Sequence, residues 1–137
     1  MGKLMKPKVQ WLDRTLVNSP HYLTLCTTPQ LFKAALKDLG IAKEHRPDFV
    51  KNWHSSATAH YFENHEDMKL TVIVCIRGYE DKSPSQIAAL ICHEAVHVWQ
   101  QIRQALGEDN PSPEFEAYSI QSIMQSLLEE FYHQTTC

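Results

Sequence analysis

Cysteine is scarce in this chain, and its spacing excludes two architectures that are common among small proteins. The four cysteines, Cys26, Cys75, Cys92 and Cys137, lie far apart and form no CxxC pair. A zinc ribbon needs such pairs, and a disulfide-stapled domain needs a denser set of cysteines. We therefore expect four reduced thiols.

A long apolar run and an excess of positive charge are also missing. The longest apolar stretch, Leu70–Ile76, has the length of a strand, well short of the ~20 residues that a membrane-spanning helix needs. The formal net charge is −3 and the basic residues are scattered, so no surface that attracts nucleic acid is expected. The basic N-terminus is not followed by the apolar segment of a signal peptide. These features favour a cytoplasmic protein that binds neither membranes nor nucleic acid.

The composition that remains is typical of a globular domain. Hydrophobic residues make up 43% of the 137 positions and charged residues 21%, which is enough for one hydrophobic core. A chain of this length is too short for two ordinary domains, so we expect a single domain spanning residues 1–137. The sequence leaves the oligomeric state open.

The first half of the chain predicts three strands and one helix. Residues rich in β-formers mark a strand at Tyr22–Thr27, and a threonine–proline pair then starts a helix that ends near Leu39, before Gly40. Two further strands, Thr58–Glu63 and Lys69–Arg77, are joined by a polar loop of hairpin length. Residues 41–57 favour a loop with a short turn, and residues 9–17 fit either a short helix or an extended arm.

The second half predicts two helices, each with a clear start. Ser83 and Gln86 form a capping box around a proline, for a helix that runs to about Ala105. Ser112 and its following proline repeat this signal for a last helix that reaches about Tyr132. The fold class that follows is α+β, with a small, mostly antiparallel sheet.

The residues that carry chemistry lie at the centre of the first of these helices. His93-Glu94-Ala95-Val96-His97 is an HExxH pattern, and residues four apart on a helix have β-carbons ~5–6 Å apart on one face. Two imidazoles at this spacing can bind one zinc ion, with Glu94 beside it to accept a proton from water. The alternative is a pair of structural histidines, because the bare pattern also arises by chance.

An open zinc site needs a third ligand, for which the last helix offers Glu114 and Glu116. These residues are about 200° apart around the helix, so at most one can face the metal. The apolar stripe of that helix steps back from Ile120 to Glu116, and an inward carboxylate without a partner is costly. We predict Glu116 as the third ligand, with a salt bridge or solvent as the alternative. Glu114 suits the helix dipole, and it takes the ligand role if the helix start is shifted by a residue.

The HExxH pattern, separated from Glu116 by eighteen residues, resembles the gluzincin metallopeptidases, with the spacing of their aminopeptidase branch. The resemblance covers residues 83–131, and the size of the chain is similar to that of minimal single-domain gluzincins from phages and bacteria. It implies a zincin-like domain whose sheet and glutamate helix pack on the HExxH helix. It also implies a peptide substrate paired with an edge strand, and a Tyr or His that stabilises the oxyanion. Tyr118, His54 and His60 are the candidates for that last role, and Tyr118 is the one we select.

Two functions from different classes follow from these residues. The first is a zinc metallopeptidase, in which activated water attacks a peptide bond and Glu94 acts as the general base. The second is a zinc-stabilised domain that binds a protein partner without cutting it. The two differ in whether replacement of Glu94 by glutamine changes turnover.

Overall fold

A three-stranded sheet lies between helices that pack on its two faces. This arrangement comes from a computed structural model, which describes residues 7–9, 11, 21–52, 54–63 and 70–136. Short 3-10 turns occupy Lys43–His45 and Tyr79–Asp81. The strands and α-helices are β1 (His21–Cys26), α1 (Pro29–Asp38), β2 (Ala57–Glu63), β3 (Leu70–Ile76), α2 (Pro84–Ala105) and α3 (Pro113–Thr135).

The strand order in the sheet is β1-β3-β2, with β3 in the centre. β2 is antiparallel to β3, whereas β1 is parallel to it, with Leu23 opposite Val72. A parallel pair needs a crossover connection, which α1 and the segment after it supply. The α+β class is therefore confirmed. The sheet is mixed, so the expected antiparallel pairing holds for β2 and β3 only.

Side chains alternate between two apolar cores, one on each face of the sheet, as the period of two in a strand requires. On one face Leu25, Val74 and their neighbours pack against α2 and α3, together with Ile91 and Leu127. On the other face Ile73, Cys26 and Cys75 pack against Phe32, Ala35 and Leu36 of α1. All seven residues of β3 are buried, because this strand is covered on both faces. The candidate active-site residues therefore lie on a helix, α2, whose position is fixed by its packing in the apolar core.

Local sequence signals set the ends of all three α-helices. The side chains of Thr28, Ser83 and Ser112 each accept a hydrogen bond from a backbone N–H one turn on, and Ser83 forms the full capping box with Gln86. Gly40 follows α1 with a φ of 73°, the left-handed conformation that glycine adopts without strain. The predicted start and end of α2 are confirmed, and α3 extends three residues beyond the predicted end.

The predicted strands are also present, with ends that differ by one residue. β1 begins and ends one residue earlier than predicted, β2 begins one residue earlier, and β3 ends one residue before Arg77. The segment predicted as a loop between α1 and β2 contains one short 3-10 turn. The polar loop between β2 and β3, and most of residues 9–17, lie outside the described residues. None of the described helices is long and apolar enough to cross a bilayer.

Candidate functional site

His93 and His97 lie together on the exposed face of α2, as the spacing predicts. Their Nε2 atoms are 3.1 Å apart, and their rings meet edge to face with centroids 4.7 Å apart. The Nδ1 atom of His97 lies 3.2 Å from Oε1 of Gln100, one turn further along the same helix. The two imidazoles therefore direct their Nε2 atoms at a common point, while the other nitrogen of His97 is engaged by a side-chain amide.

Glu94 lies between this exposed face and the core. It is only 6% exposed, yet its carboxylate accepts no hydrogen bond from the described residues. No fully buried side-chain oxygen or nitrogen in the described residues lacks a partner, so the carboxylate oxygens of Glu94 still reach solvent. Burial raises the pKa of the Glu94 carboxyl, and the neighbouring His93 and His97 imidazoles offset part of that rise. A carboxylate that is partly dehydrated, accessible at its oxygens and without a hydrogen-bond partner among the described residues can exchange protons with water.

Tyr61 is a neighbour of Glu94 that the sequence analysis did not select. It lies on β2, on the face that packs against α2 and α3, and is half-buried. Burial and, secondarily, the negative charge of Glu94 raise the pKa of the Tyr61 phenol to about 12. The phenol is therefore protonated at neutral pH and is a hydrogen-bond donor close to the carboxylate. The alternation in the predicted strand placed Tyr61 on one face, but only the position of β2 beside α2 brings it to this site.

Glu116 faces inward, as its place on the apolar stripe of α3 predicts, but its partner is a tryptophan and not the histidine pair. Its Oε2 atom accepts a hydrogen bond of 3.0 Å from the indole nitrogen of Trp99, which is 3% exposed. Trp99 follows His97 by two residues and is therefore about 200° around α2 from it. Across residues 21–52, 54–63 and 70–136, no three His, Cys, Asp or Glu side chains form a group that could hold a metal ion. In this arrangement the structure brings the two histidines together but does not bring Glu116 to them.

The two other candidate residues on α3, one glutamate and one tyrosine, are exposed to solvent. Glu114 is exposed in the first turn of the helix, where the helix dipole favours a negative charge. Tyr118 is 63% exposed, and its hydroxyl has no hydrogen-bond partner among the described residues. No group in the described part of the chain therefore orients the Tyr118 hydroxyl toward the histidine pair.

His60 is not positioned at the histidine pair of α2. His60 is on the opposite face of the sheet, stacked on Phe32 with ring centroids 4.7 Å apart, and its Nε2 lies 3.0 Å from the carbonyl oxygen of Phe49. Burial lowers the pKa of His60, so the neutral imidazole is favoured. His54 is exposed in the segment before β2, where its backbone N–H donates to the side chain of Asn52. His60 is thus a packing residue of the second core.

The outer edge of β2 is available for pairing, because no strand in the described part of the chain borders it. The backbone N–H of Arg77 donates to the carbonyl of Ser56 at 2.8 Å, which makes this opposed pair a hydrogen-bonded one. Hydrogen-bonded and non-bonded pairs alternate along the ladder, so Ala57, Ala59 and Tyr61 direct their backbone groups away from β3. A groove of about 410 Å³ runs beside this edge, between β2 and residues 47–51.

Comparisons of the chain with protein-family models, with curated proteins and with solved structures found no match.

Proposed function

We propose that this protein is a zinc-dependent peptide-bond hydrolase, in which His93 and His97 bind the metal and Glu94 is the general base. The observation that carries the proposal is the combination found on α2. Two imidazole Nε2 atoms lie 3.1 Å apart, and their charges act on the buried carboxylate of Glu94, which has no hydrogen-bond partner among the described residues. A structural histidine pair would not require such a carboxylate, whereas metal-assisted hydrolysis does.

The separation of the two Nε2 atoms fits zinc as a ligand pair. Zinc–imidazole bonds are about 2.0–2.1 Å long, so two such nitrogens in a tetrahedral site are about 3.3–3.4 Å apart. The 3.1 Å between Nε2 of His93 and Nε2 of His97 is within about 0.3 Å of that separation. The helix therefore requires little adjustment to present both nitrogens to one ion.

Glu94 performs the proton transfers in the proposed reaction. When bound, zinc supplies Lewis acidity, which acidifies water and polarises a carbonyl group. The Glu94 carboxylate accepts a proton from the attacking water and delivers it to the amine that leaves. Burial raises the pKa of the Glu94 carboxyl toward neutral pH. A group with a pKa near the working pH can both accept and donate a proton.

Glu116 remains the proposed third ligand, with a condition set by its hydrogen bond to Trp99. Only its Oε2 atom is engaged, and its Oε1 atom has no hydrogen-bond partner among the described residues. Because Trp99 and the histidines are on different sides of α2, the first turn of α3 has to move across α2 for Glu116 to join them. We therefore propose that, when zinc binds, the Glu116 carboxylate releases the indole of Trp99 and ligates the metal instead.

The substrate proposed for this site is an extended peptide that pairs with the edge of β2 that no strand in the described residues borders. Tyr61 lies on this edge strand with its backbone groups directed outward, and its side chain is close enough to Glu94 for the carboxylate charge to raise its pKa. A peptide that adds to the sheet here would run past α2, since β2 and α2 pack in the same core. Main-chain hydrogen bonds would supply affinity with little dependence on the peptide sequence.

The alternative is a zinc-stabilised domain that binds a protein partner through the same edge without cutting it. The groove of about 410 Å³ beside that edge favours this alternative, because it offers space for a partner chain. Turnover separates the two functions, since only the hydrolase depends on the carboxylate of Glu94.

The first experiment measures metal content by mass spectrometry on protein purified without a chelator or a metal-affinity tag. We expect about one zinc per chain in the wild type and its loss in His97→Ala. His133→Ala is the matched control, since His133 is an exposed histidine in the last turn of α3. Wild-type protein without metal, or equal zinc in His97→Ala, would reject the metal site.

The second experiment tests catalysis with a mixture of unstructured peptides of random sequence. We expect wild-type protein to cut peptide bonds and Glu94→Gln to retain zinc while losing turnover by several orders of magnitude. Glu129→Gln, a change at an exposed glutamate of α3, is the control and should cut at the wild-type rate. Zinc-loaded wild-type protein that cuts nothing but binds extended peptides would favour the binding domain.

A further inference from the structure

Gln100 contacts His97 through the nitrogen that does not face His93. Its Oε1 atom lies 3.2 Å from Nδ1 of His97, and the two residues are three apart, on one face of α2. Both side chains are exposed, so packing does not fix the orientation of the ring. An amide oxygen can only accept a hydrogen bond, which requires Nδ1 of His97 to carry the proton.

The proton on Nδ1 determines what the other nitrogen of His97 can do. A neutral imidazole has one N–H, so a proton on Nδ1 leaves Nε2 with a free lone pair. That lone pair faces Nε2 of His93 at 3.1 Å, and the contact is favourable in the metal-free protein when His93 carries its proton on Nε2. When both contacts form as hydrogen bonds, the two histidines are in opposite tautomers before metal binding, and only His93 must change.

We propose that Gln100 is a positioning residue that holds His97 in the Nδ1–H tautomer, ready to ligate a divalent metal through Nε2. This inference deepens the proposed function, and its metal-binding part rests on it. A group that hydrogen-bonds to the non-ligating nitrogen of a metal-bound imidazole fixes its tautomer and ring orientation, and the loss of this hydrogen bond costs about 10–100-fold in metal affinity. Because Gln100 is exposed, we expect a loss at the lower end, about tenfold.

The test begins with metal-free protein and requires no activity. Long-range 15N–1H spectra, recorded where imidazole is neutral, report which nitrogen of each histidine is protonated. We expect Nδ1–H for His97 and Nε2–H for His93 in the wild type. Gln100→Met keeps the length of the side chain and removes the acceptor, so His97 should lose this preference. Gln100→Glu keeps an acceptor oxygen and should retain it.

The second readout is zinc affinity, measured by competition with a chromophoric chelator. We expect about tenfold weaker binding in Gln100→Met and no loss in Gln100→Glu. Gln104→Met is the matched control, because Gln104 is an exposed glutamine on the same face of α2, seven residues beyond His97.

The outcomes separate this inference from the proposed function. An Nε2–H tautomer of His97 in the wild type, or an unchanged tautomer in Gln100→Met, would overturn the role of Gln100. So would equal zinc affinity in wild type and Gln100→Met. Wild-type protein with the expected tautomers that binds no zinc would overturn the metal site itself, and with it the ligand-positioning role of Gln100.

Discussion

The indole nitrogen of Trp99 donates a 3.0 Å hydrogen bond to Oε2 of Glu116, and this bond joins the start of α3 to the buried side of α2. Trp99 is also in edge-to-face contact with Phe115, the residue before Glu116. The inward carboxylate of Glu116 therefore has a hydrogen-bond partner that does not involve a metal. The exchange of this partner for zinc is the conformational step on which a three-ligand site depends.

Replacement of Glu116 by glutamine should separate its two roles. The amide oxygen can still accept from Trp99, so the free energy of unfolding of metal-free Glu116→Gln should change by less than about 0.5 kcal/mol. Glu116→Ala leaves the buried indole N–H unpaired and should cost about 1–3 kcal/mol in a urea titration. Zinc affinity should fall more than tenfold in both variants. Wild-type zinc affinity in Glu116→Gln would leave the two histidines as the only protein ligands.

The stability of the metal-free protein should depend on pH through Glu94. A carboxyl whose pKa is higher in the folded state than the ordinary 4.5 binds more protons when folded. The free energy of unfolding contributed by Glu94 therefore increases as the pH falls from the raised pKa toward 4.5. At neutral pH the buried charge is unfavourable, so Glu94→Gln should be more stable than the wild type, with a smaller difference in acid. Urea titrations in the presence of chelator at a series of pH values measure this, and a Glu94→Gln variant less stable than wild type at pH ~7 would contradict it.

The ionisation of Tyr61 should report its distance from Glu94. Glu94→Gln removes the negative charge that opposes ionisation of the phenol, so the Tyr61 pKa should fall from about 12 while staying above its ordinary value of 10, because burial remains. Ultraviolet absorbance of tyrosinate at high pH measures this, with the Tyr61→Phe variant subtracted to isolate Tyr61 from the other tyrosines. An identical Tyr61 titration in wild type and Glu94→Gln would mean that the carboxylate does not act on the phenol.

The outward backbone N–H of Ala59 should contribute to peptide binding. Ala59→Pro removes that N–H and leaves the hydrogen bonds between β2 and β3 intact, because Ala59 and Val74 form a non-bonded pair. We expect KM for a cleaved peptide to rise about tenfold, the effect of one lost hydrogen bond, with kcat less affected. Ala59→Val keeps the N–H and is the control. An unchanged KM in Ala59→Pro would argue that the peptide binds elsewhere.

Gln134 should be a major stabilising residue at the end of α3. Its Oε1 atom accepts from the backbone N–H and the hydroxyl of Thr27, at 3.0 and 2.8 Å. Its Nε2 atom donates to the carbonyl of Leu25 and to the carboxylate of Glu130, at 2.6 and 2.9 Å. Gln134→Met leaves two backbone groups of the β1 end without partners and should lower the free energy of unfolding by about 2 kcal/mol.

A second glutamine of α3 provides the control for this prediction. Gln125 donates to Glu129 on the exposed face of the helix, and Gln125→Met should cost less than about 0.5 kcal/mol. Urea titrations of the two variants measure the difference. Equal stability of Gln134→Met and Gln125→Met would show that the contacts to β1 add nothing to the fold.

The sequence by itself determined the helices and the histidine pair. Helix ends depend on residues within a few positions of one another, so Ser83 with Gln86 is sufficient to start α2. The juxtaposition of His93 and His97 is equally local, since the helix repeat alone brings residues four apart onto one face. The inward orientation of Glu116 was predicted for the same reason, from the apolar stripe of the helix that carries it.

The tertiary structure decided which of these faces meet. The sequence predicted the pairing of β2 with β3 but not the place of β1. Only packing placed β1 parallel to β3, left β2 with an edge that no strand in the described residues borders, and brought Tyr61 within reach of the Glu94 charge. The partner of Glu116 was likewise decided by how α3 lies on α2. Its helical periodicity specified an inward orientation, but the group that pairs with the half-buried carboxylate comes from Trp99, through a contact between residues seventeen apart in sequence. Local periodicity determines which side of an element is buried, whereas the partner on that side depends on non-local packing.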